Sequence, residues 1–517
     1  MIKFTRIVNV RRIVRGFSTN QWSSKIGLEI HAQIKSNTKL FSVATNSSDK
    51  PPNTCADLLD IALPGVLPQL NKTCVEYGLL TAIAMECKVN AVSYFDRKHY
   101  FYPDLPAGYQ ITQQRVPLAE NGKINIRTQT LVESSSRECF EVRINRLQLE
   151  QDSAKILIGD SNTTLLDYNR AGVGLMEIVT APDMCTGQEA ASFIKELLLL
   201  LKTLQVCDCK MEDGSFRVDA NVSVHKDGKP APRVEVKNIS GTKFINKAIS
   251  YEINRQTQMY KRGEKVHEET RMFDNKRSIT YPTREKGGGS DYRYIPEPDL
   301  PPVWVIDSDA IEFHKVSPEQ TADCIDLVEV RKLLVELPNE KRARLLQTYD
   351  LRTDETENLL MKEELLQYLE NATNLEPKIS PKVIYQFMST LVGILAKRNA
   401  NLQDSRVTYD VLHQLIKLQY LDNRITKKTC IAILTAIENG DDRSIDIIIE
   451  EDNLHRIIDT QEIRKLLDTV LEQNQGIVEK FKDRNQLIDI VRGKVLKESK
   501  GRGDPAAVHN VVNGYFN

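Results

Sequence analysis

Two side chains that can bind a metal ion are spaced for one face of a β-strand near the start of the chain. Glu29 and His31 are two residues apart, so on a strand both point to the same side, about 7 Å from each other. Two further carboxylates lie in strand-like segments: Glu150 ends residues 146–150, and Glu177 lies inside the apolar residues 175–179. Carboxylates with one imidazole form a mostly oxygen ligand set, which suits Mg²⁺ and hence nucleotide phosphates.

Each of these residues also has an interpretation without a ligand. Glu29 and His31 could simply be solvated on a polar strand face, Glu150 could lie at a solvated strand end, and Glu177 could pair with Arg170. Glu177 is the most informative, because a carboxylate in an apolar strand costs free energy unless it is paired, protonated or bound to metal. The residues alone leave these alternatives open.

Basic residues that could contact phosphate or RNA occur in two regions, the first of which contains Arg170, Arg217, Lys237 and Arg293. In the first region, Arg293 lies between Tyr292 and Tyr294, and aromatic rings beside a cation can stack on bases and bind phosphate. The second region is a C-terminal basic stripe, consisting of Arg492, Lys494, Lys497, Lys500 and Arg502, with only Glu498 opposing it. A solvated helix face and contact with an RNA backbone explain this stripe equally well.

The familiar nucleotide and nucleophile motifs are missing from the sequence. It contains no Walker A loop and no G-x-G-x-x-G, and Gly287–Gly289 is not followed by a helix start or a Lys-Ser/Thr pair, so it reads as a loop. No Ser/His/Asp, Cys/His or amidase-like Ser/Lys arrangement stands out. A nucleotide site in this chain would therefore be of an uncommon type.

Two kinds of hydrophobic periodicity divide the chain. From residue 26 to about 311 the period is two, as in residues 26–34 and 216–224, which predicts half-buried strands. One helix is predicted to interrupt them, beginning at the capping box Thr186 to Glu189. After Ser317-Pro318 the period is helical, with a second start at Ser380-Pro381 and breaks at Asn439-Gly440 and residues 501–505. The fold class is therefore α+β, with a largely antiparallel β region followed by helices.

Composition excludes several classes of protein. The 517 residues include 70 Lys and Arg against 71 Asp and Glu, so a nucleic acid would have to be bound by a local basic patch. No apolar run approaches the roughly 20 residues that span a bilayer. The nine cysteines are scattered, odd in number and without C-x-x-C, which argues against a disulfide framework or a four-thiolate zinc site and fits a reducing compartment.

Residues 1–24 have the composition of a mitochondrial transit peptide. Five cations and several hydroxyl side chains occur there, and no acidic residue precedes Glu29. The sequence around Phe17 resembles a processing site. A basic tail that binds RNA is the alternative interpretation.

Several motifs together resemble the GatB family, the B subunits of glutamyl-tRNA(Gln) amidotransferase. They are Gly27-Leu28-Glu29-Ile30-His31, Leu63-Pro64-Gly65-Val66-Leu67-Pro68, Phe95-Asp96-Arg97-Lys98, Tyr100-Phe101-Tyr102-Pro103-Asp104, Asn169-Arg170, residues 214–221, Glu235-Val236-Lys237-Asn238, Asp291-Tyr292-Arg293-Tyr294 and residues 296–302. The resemblance runs in order from about Ile26 to Val303 and is looser through the tail.

The resemblance implies a fold and a domain organisation. After the leader at residues 1–24, it implies a cradle-like catalytic domain at 25–312, a helical domain at 313–400 and a helical YqeY-like, tRNA-binding tail at 401–517. It places Glu29, His31, Glu150 and Glu177 at the family's metal-site positions. Phosphate or acceptor-end contacts are expected of Arg170, Lys237 and Arg293.

The resemblance also implies an activity. Such a protein uses ATP and Mg²⁺ to phosphorylate the glutamyl side chain of Glu-tRNA(Gln), and ammonia then displaces the phosphate to give Gln-tRNA(Gln). An amidase A subunit supplies the ammonia, and a small third subunit (C-type or fungal F-type) completes a heterotrimer, here in the mitochondrial matrix. The alternatives are a tRNA-binding scaffold without catalysis and a metal-dependent hydrolase, although no separate nucleophile or general base stands out for the latter.

Overall fold

The structure is a computed structural model that describes residues 22–47, 49–127, 137–158, 163–226, 229–285, 292–309, 324–474 and 484–516. Residues 1–21 of the predicted leader, the Gly287–Gly289 run and the predicted helix start at Ser317 lie outside these ranges. The first strand begins at Trp22, inside the predicted boundary of the leader at residue 24. The chain divides into two compact units, Met1–Pro338 and Asn339–Asn517.

The first unit contains the described strands, and its main feature is a nine-stranded sheet. The strands are β1 Trp22–Gln33, β2 Lys88–Val89, β3 Val92–Ser93, β4 Asp96–His99, β5 Tyr109–Thr112, β6 Ala119–Arg127, β7 Cys139–Gln151, β8 Lys155–Ile158, β9 Thr164–Asp167, β10 Gly174–Thr180, β11 Phe216–Lys226, β12 Val234–Lys237, β13 Glu269–Asp274, β14 Ile279–Glu285, β15 Ile295–Pro296, β16 Val303–Ile306 and β17 Ile325–Asp326. The large sheet has the order β14-β13-β12-β11-β1-β10-β7-β6-β2 and is antiparallel except between β12 and β13. The predicted, largely antiparallel α+β fold is confirmed.

Three smaller sheets accompany the large one within the described ranges, with the orders β15-β4-β5, β17-β16-β3 and β8-β9. The β15-β4-β5 sheet matters for the site, because β4 and β15 come from distant parts of the chain. Ile295 of β15 is opposite Arg97 of β4, so the two aromatic segments that flank these strands lie side by side.

The prediction of one helix within the strand-rich region is wrong, since the described residues form three long helices there. They are α1 Lys72–Ala84, α2 Gly187–Thr203 and α3 Thr242–Lys261. The predicted one, α2, begins as expected, with Thr186 accepting a hydrogen bond from the Glu189 N–H. α1 escaped prediction because it is buried on most sides and therefore lacks an amphipathic period. All three helices pack into one hydrophobic core with the buried face of β1.

The remaining described helices follow the sheet region in chain order. They are α4 Leu327–Lys332, α5 Pro338–Thr348, α6 Thr353–Met361, α7 Glu363–Asn374, α8 Pro381–Ala396, α9 Tyr409–Ile416, α10 Lys427–Glu438, α11 Ile445–Glu451, α12 Thr460–Gln473, α13 Arg484–Glu498 and α14 Pro505–Phe516. The predicted start at Pro381 and the breaks after Glu438 and Glu498 are confirmed. α12, α13 and α14 share a separate hydrophobic core. Among the described residues, no helix is long and apolar enough to cross a membrane.

Candidate functional site

The central strand β1 presents a polar face to the candidate site. Leu28, Ile30 and Ala32 are almost completely buried in the core, whereas the alternate residues Glu29 and His31 are only partly buried. The strand period of two therefore separates core side chains from site side chains, as the sequence predicts.

Strand register brings the two distant carboxylates to the same face. Glu177 of β10 lies directly opposite His31, and Glu150 of β7 lies opposite Leu175, two residues before Glu177. One ligand atom each from Glu29, His31 and Glu177 lie within 4.8 Å of one another. The Glu150 Oε1 atom is 3.3 Å from His31 Nε2. The structure thus brings all four predicted residues together.

The carboxylates of the site are not equivalent. Burial by itself would raise the pKa of Glu150, but a hydrogen bond from His31 and the positive charges of His31 and Lys98 hold it below the usual range. Burial and the negative charge of Glu150 raise the pKa of Glu177 to about 7. Burial would lower the pKa of His31, yet its hydrogen bond and charge interaction with Glu150 raise it to about 9. Without a bound cation, the site therefore retains protons that a metal would displace.

Polar neighbours orient the buried carboxylates. Gln148 Nε2 donates to Glu177 Oε2 at 2.8 Å, and Thr112 Oγ1 donates to Glu150 Oε2 at 3.3 Å. Arg146 Nη2 lies 3.7 Å from Glu177 Oε1. These contacts correct one alternative, because the arginine that lies within 4 Å of Glu177 is Arg146 on β7 and not the expected Arg170.

Lys98 is a charged residue of the site that residue patterns did not single out. It lies on β4, and burial by itself would lower its pKa, but the charges of Glu150, Tyr294 and Glu177 raise it. Lys98 is far from the carboxylates in sequence and belongs to another sheet. Its position beside the carboxylates follows from the tertiary structure, because β4 pairs with β5 and β5 contacts β7, the strand that carries Glu150.

Arg170 belongs to a neighbouring cluster around Asp152. The Asp152 carboxylate, only 4% exposed, lies 3.1 Å from Arg217 Nη2 and 3.7 Å from Arg170 Nε. Arg170 also donates to the backbone carbonyls of Ser153 and Ala154. Since Arg217 is directly opposite His31 in the sheet, this cluster borders the carboxylate site.

The other two predicted phosphate-binding residues lie in different surroundings. Lys237 Nζ pairs with Asp219 at 2.7 Å and with Glu235 at 3.1 Å, so these two carboxylates within the sheet neutralise its charge. Arg293 is exposed, has a φ of 42°, and accepts a hydrogen bond at its backbone oxygen from His99 Nδ1 at 2.9 Å. Their roles toward phosphate or the acceptor end remain predictions.

Three cations of the C-terminal stripe have partners within their own unit. Arg492 pairs with Asp489 at 3.0 Å, Lys494 donates to Asn474 at 2.7 Å, and Arg502 donates to the Asn453 carbonyl at 3.1 Å. Lys497 and Lys500 are exposed. These two lysines are therefore the members best placed to reach an RNA backbone.

The chemistry of the donor set fits a hard divalent cation such as Mg²⁺. Three carboxylates and one imidazole converge from three neighbouring strands, and repulsion from Glu150 and Glu29 raises the pKa of the already buried Glu177. The buried Gln148 Oε1 atom has no hydrogen-bond partner among the described residues, so it could accept a bond from water around a cation. A cation would offset the repulsion among these carboxylates.

Comparison with known proteins identifies the family of the chain. Residues 24–312 match the family model described as the GatB/GatE catalytic domain, and residues 367–515 match the model described as the GatB domain. The chain belongs to the GatB family. The catalytic-domain match of this GatB chain contains all four residues of the carboxylate site, and the second match contains the C-terminal basic stripe.

Curated relatives match the GatB chain over nearly its whole length. It is 40% identical over 501 residues to the mitochondrial B subunit of glutamyl-tRNA(Gln) amidotransferase from Danio rerio, covering 96% of this chain and 89% of the relative. It is 39% identical over 500 residues to the human protein of the same name, covering 95% and 88%. It is 37% identical over 500 residues to the B subunit of aspartyl/glutamyl-tRNA(Asn/Gln) amidotransferase from Rickettsia bellii, covering 96% and 98%.

Proposed function

We propose that this chain is the kinase and transamidase component of a mitochondrial glutamyl-tRNA(Gln) amidotransferase, a carbon–nitrogen ligase that uses glutamine as its nitrogen donor. The glutamyl carboxylate of Glu-tRNA(Gln) attacks the γ-phosphorus of ATP, and ADP leaves. Ammonia then attacks the carbonyl carbon of the acyl phosphate, and inorganic phosphate leaves to give Gln-tRNA(Gln). The observation that carries this proposal is the convergence of Glu29, His31, Glu150 and Glu177 in a chain of the GatB family.

The residues of the site divide between cation binding and charge neutralisation. Glu29, His31, Glu150 and Glu177 would hold Mg²⁺, which when bound neutralises negative charge on the phosphates of ATP. Arg146 and Lys98 flank these carboxylates and add positive charge beside the transferring phosphoryl group. Gln148 and Thr112 fix the carboxylate orientations through their hydrogen bonds.

The proposed complex contains an amidase A subunit and a small third subunit, of C-type or fungal F-type. The names of the relatives as subunits of an amidotransferase support this assembly. The sequence has no recognisable amidase nucleophile arrangement, so the ammonia must come from a partner. The mitochondrial names of four relatives and the Arg-rich, acid-free residues 1–24 support location in the matrix.

The decisive experiment is ATP-dependent amidation of Glu-tRNA(Gln) by the co-purified complex, with and without magnesium. We expect Glu150→Gln to abolish Gln-tRNA formation and to change tRNA affinity only a few-fold, because the amide keeps the shape but cannot bind the cation as a carboxylate does. Glu141→Gln is a matched control, since Glu141 lies on the same strand but is exposed and pairs with Lys123. Full amidation activity in the Glu150→Gln complex would support the non-catalytic scaffold instead.

A further inference from the structure

Four tyrosine rings form a continuous row beside the carboxylate site, in the order Tyr294, Tyr292, Tyr100, Tyr102. Successive ring centroids are 6.1, 6.3 and 6.2 Å apart, and each pair is edge-to-face. Such spacings are typical of favourable aromatic contacts. We call this set the tyrosine row.

Backbone contacts hold the two halves of the tyrosine row together. Tyr100 and Tyr102 follow β4, whereas Tyr292 and Tyr294 precede β15, its antiparallel partner. The His99 N–H donates to the Tyr292 carbonyl at 2.8 Å. The His99 ring adds the bond to the Arg293 carbonyl described above. The row is therefore built by the fold from two segments that are far apart in sequence.

One end of the row adjoins the carboxylates and the other end is exposed. Lys98 Nζ lies 5.1 Å from the centroid of Tyr292, the second ring of the row, and the same ammonium interacts electrostatically with Tyr294, the first ring, and with Glu150 and Glu177. At the outer end, Tyr102 is 57% exposed. Three rings are half-buried and thus held in place, and the row leads from the site to the surface.

Aromatic rings beside exposed cations bind unpaired nucleotides, because bases stack on the rings and cations neutralise phosphates. The exposed Arg293 supplies such a cation within the row. ATP offers only one base, whereas a row of four rings can contact successive bases. The length of the row therefore favours a single-stranded RNA end over a mononucleotide.

We propose that the tyrosine row binds the unpaired 3′ nucleotides of the acceptor tRNA and so directs its aminoacyl group to the carboxylate site. This inference rests on the proposed function, since that function places an aminoacylated RNA end at Glu29, His31 and Glu177. Tyr102 acts as a binding residue at the outer end, away from the reacting atoms.

The test compares Tyr102→Leu and Tyr102→Phe in the co-purified complex. Tyr102 is exposed, so neither change should disturb folding. Dissociation constants are measured for intact tRNA(Gln) and for the same tRNA lacking its unpaired 3′ nucleotides, together with the KM for ATP. Tyr281→Leu is the matched control, because Tyr281 is 42% exposed on β14 and lies outside the row.

We expect Tyr102→Leu to weaken binding of intact tRNA roughly 5- to 150-fold, the range for loss of one base–aromatic stack. Tyr102→Phe should retain binding, the truncated tRNA should bind all variants alike, and the KM for ATP should not change. Equal losses with both RNAs, or no loss with either, would overturn the proposal. A higher KM for ATP with unchanged RNA binding would instead assign the row to the adenine of ATP and also overturn it.

The binding assay needs no turnover, so its outcome is separate from that of the proposed function. A complex that shows the Tyr102 dependence with intact tRNA alone, but makes no Gln-tRNA, would retain the tyrosine row as an RNA site and refute the amidotransferase assignment. A complex that amidates Glu-tRNA without this dependence would refute only the proposed RNA-binding role of the tyrosine row.

Discussion

Replacing Glu177 with glutamine should stabilise the metal-free fold while removing activity. Glu177 is 5% exposed, and burial together with the negative charge of Glu150 raises its pKa from 4.5 to about 7. A pKa unit corresponds to about 1.4 kcal/mol. The ionised carboxylate therefore lowers the free energy of unfolding by about 3 kcal/mol at pH 8. Glutamine keeps an acceptor for Gln148 and removes the charge.

The pH dependence of this effect has a definite sign. A carboxyl whose pKa is raised by folding carries no penalty below its unfolded value near 4.5, because it is then protonated in both states. The penalty grows as the pH rises and is complete above about 7. The advantage of Glu177→Gln should therefore be small at pH 5 and largest at pH 8.

The assay is thermal unfolding of the co-purified complex in chelator at pH 5 and pH 8. We expect the variant to melt about 5 °C higher than the wild type at pH 8. Adding magnesium should raise the melting temperature of the wild type more than that of the variant, because a ligand stabilises the state that binds it. A variant that melts at or below the wild-type temperature at pH 8 would refute the reasoning.

Glu189→Gln is the control, because Glu189 is a buried carboxylate that is paired with an arginine and is not repelled by a second carboxylate. Glu189 is completely buried, but Arg137 donates to its two oxygens at 2.9 and 2.8 Å. Because the Arg137 side chain is 43% exposed, weakening these charge-assisted hydrogen bonds should cost about 1.5–3 kcal/mol. The same substitution should therefore destabilise the protein at this position, opposite in sign to its effect at Glu177.

Three further outcomes follow from the structure. Magnesium affinity, measured by calorimetry, should rise between pH 6 and pH 9 because His31, with a pKa of about 9, must lose its proton to bind a metal; a flat profile would contradict this. Lys39→Met should lower the free energy of unfolding by about 3–5 kcal/mol in urea, because it leaves the buried Asp60 carboxylate without its ion pair. Adding Asp60→Asn, which removes the charge but keeps an oxygen for Ser42 and the Asp57 N–H, should restore part of the loss. A double variant as unstable as the single one would show that the ion pair is not the cause. The double change Lys497→Gln and Lys500→Gln should reduce the slope of log Kd for tRNA against log salt by about 1–2, and an unchanged slope would mean that both lysines are merely solvated.

Alternation along single strands made half of the site predictable. The two-residue spacing of Glu29 and His31 assigned them to one face of a strand, and β1 has this geometry. The carboxylate inside residues 175–179 pointed to Glu177 because such a group is costly without a partner. These signals depend only on neighbouring residues, so they can be recognised from the sequence alone.

Strand order and register were not readable from the residues. That Glu177 is opposite His31, with Glu150 on the next strand, depends on long connections between the strands. Lys98 enters from another sheet for the same reason. The family resemblance, not the periodicity, grouped the four ligands.

Helix prediction failed at α1 and α3 for different reasons. Burial on most sides removed the amphipathic pattern of α1, whereas α3 is amphipathic but begins after Gly241, without a capping side chain. The C-terminal helices were predictable because they carry a buried stripe. Point substitutions test the basic stripe better than truncation does, since α13 supplies core residues and truncation before Arg492 would remove part of that core.

The central claim is that Glu29, His31, Glu150 and Glu177 bind one divalent cation. Electron paramagnetic resonance with Mn²⁺ as a probe, on the co-purified complex without ATP or tRNA, measures this most directly. We predict one site whose affinity falls at least about 10-fold in Glu29→Gln and in Glu177→Gln, while Glu141→Gln binds like the wild type. Unchanged Mn²⁺ affinity in both site variants would contradict the claim.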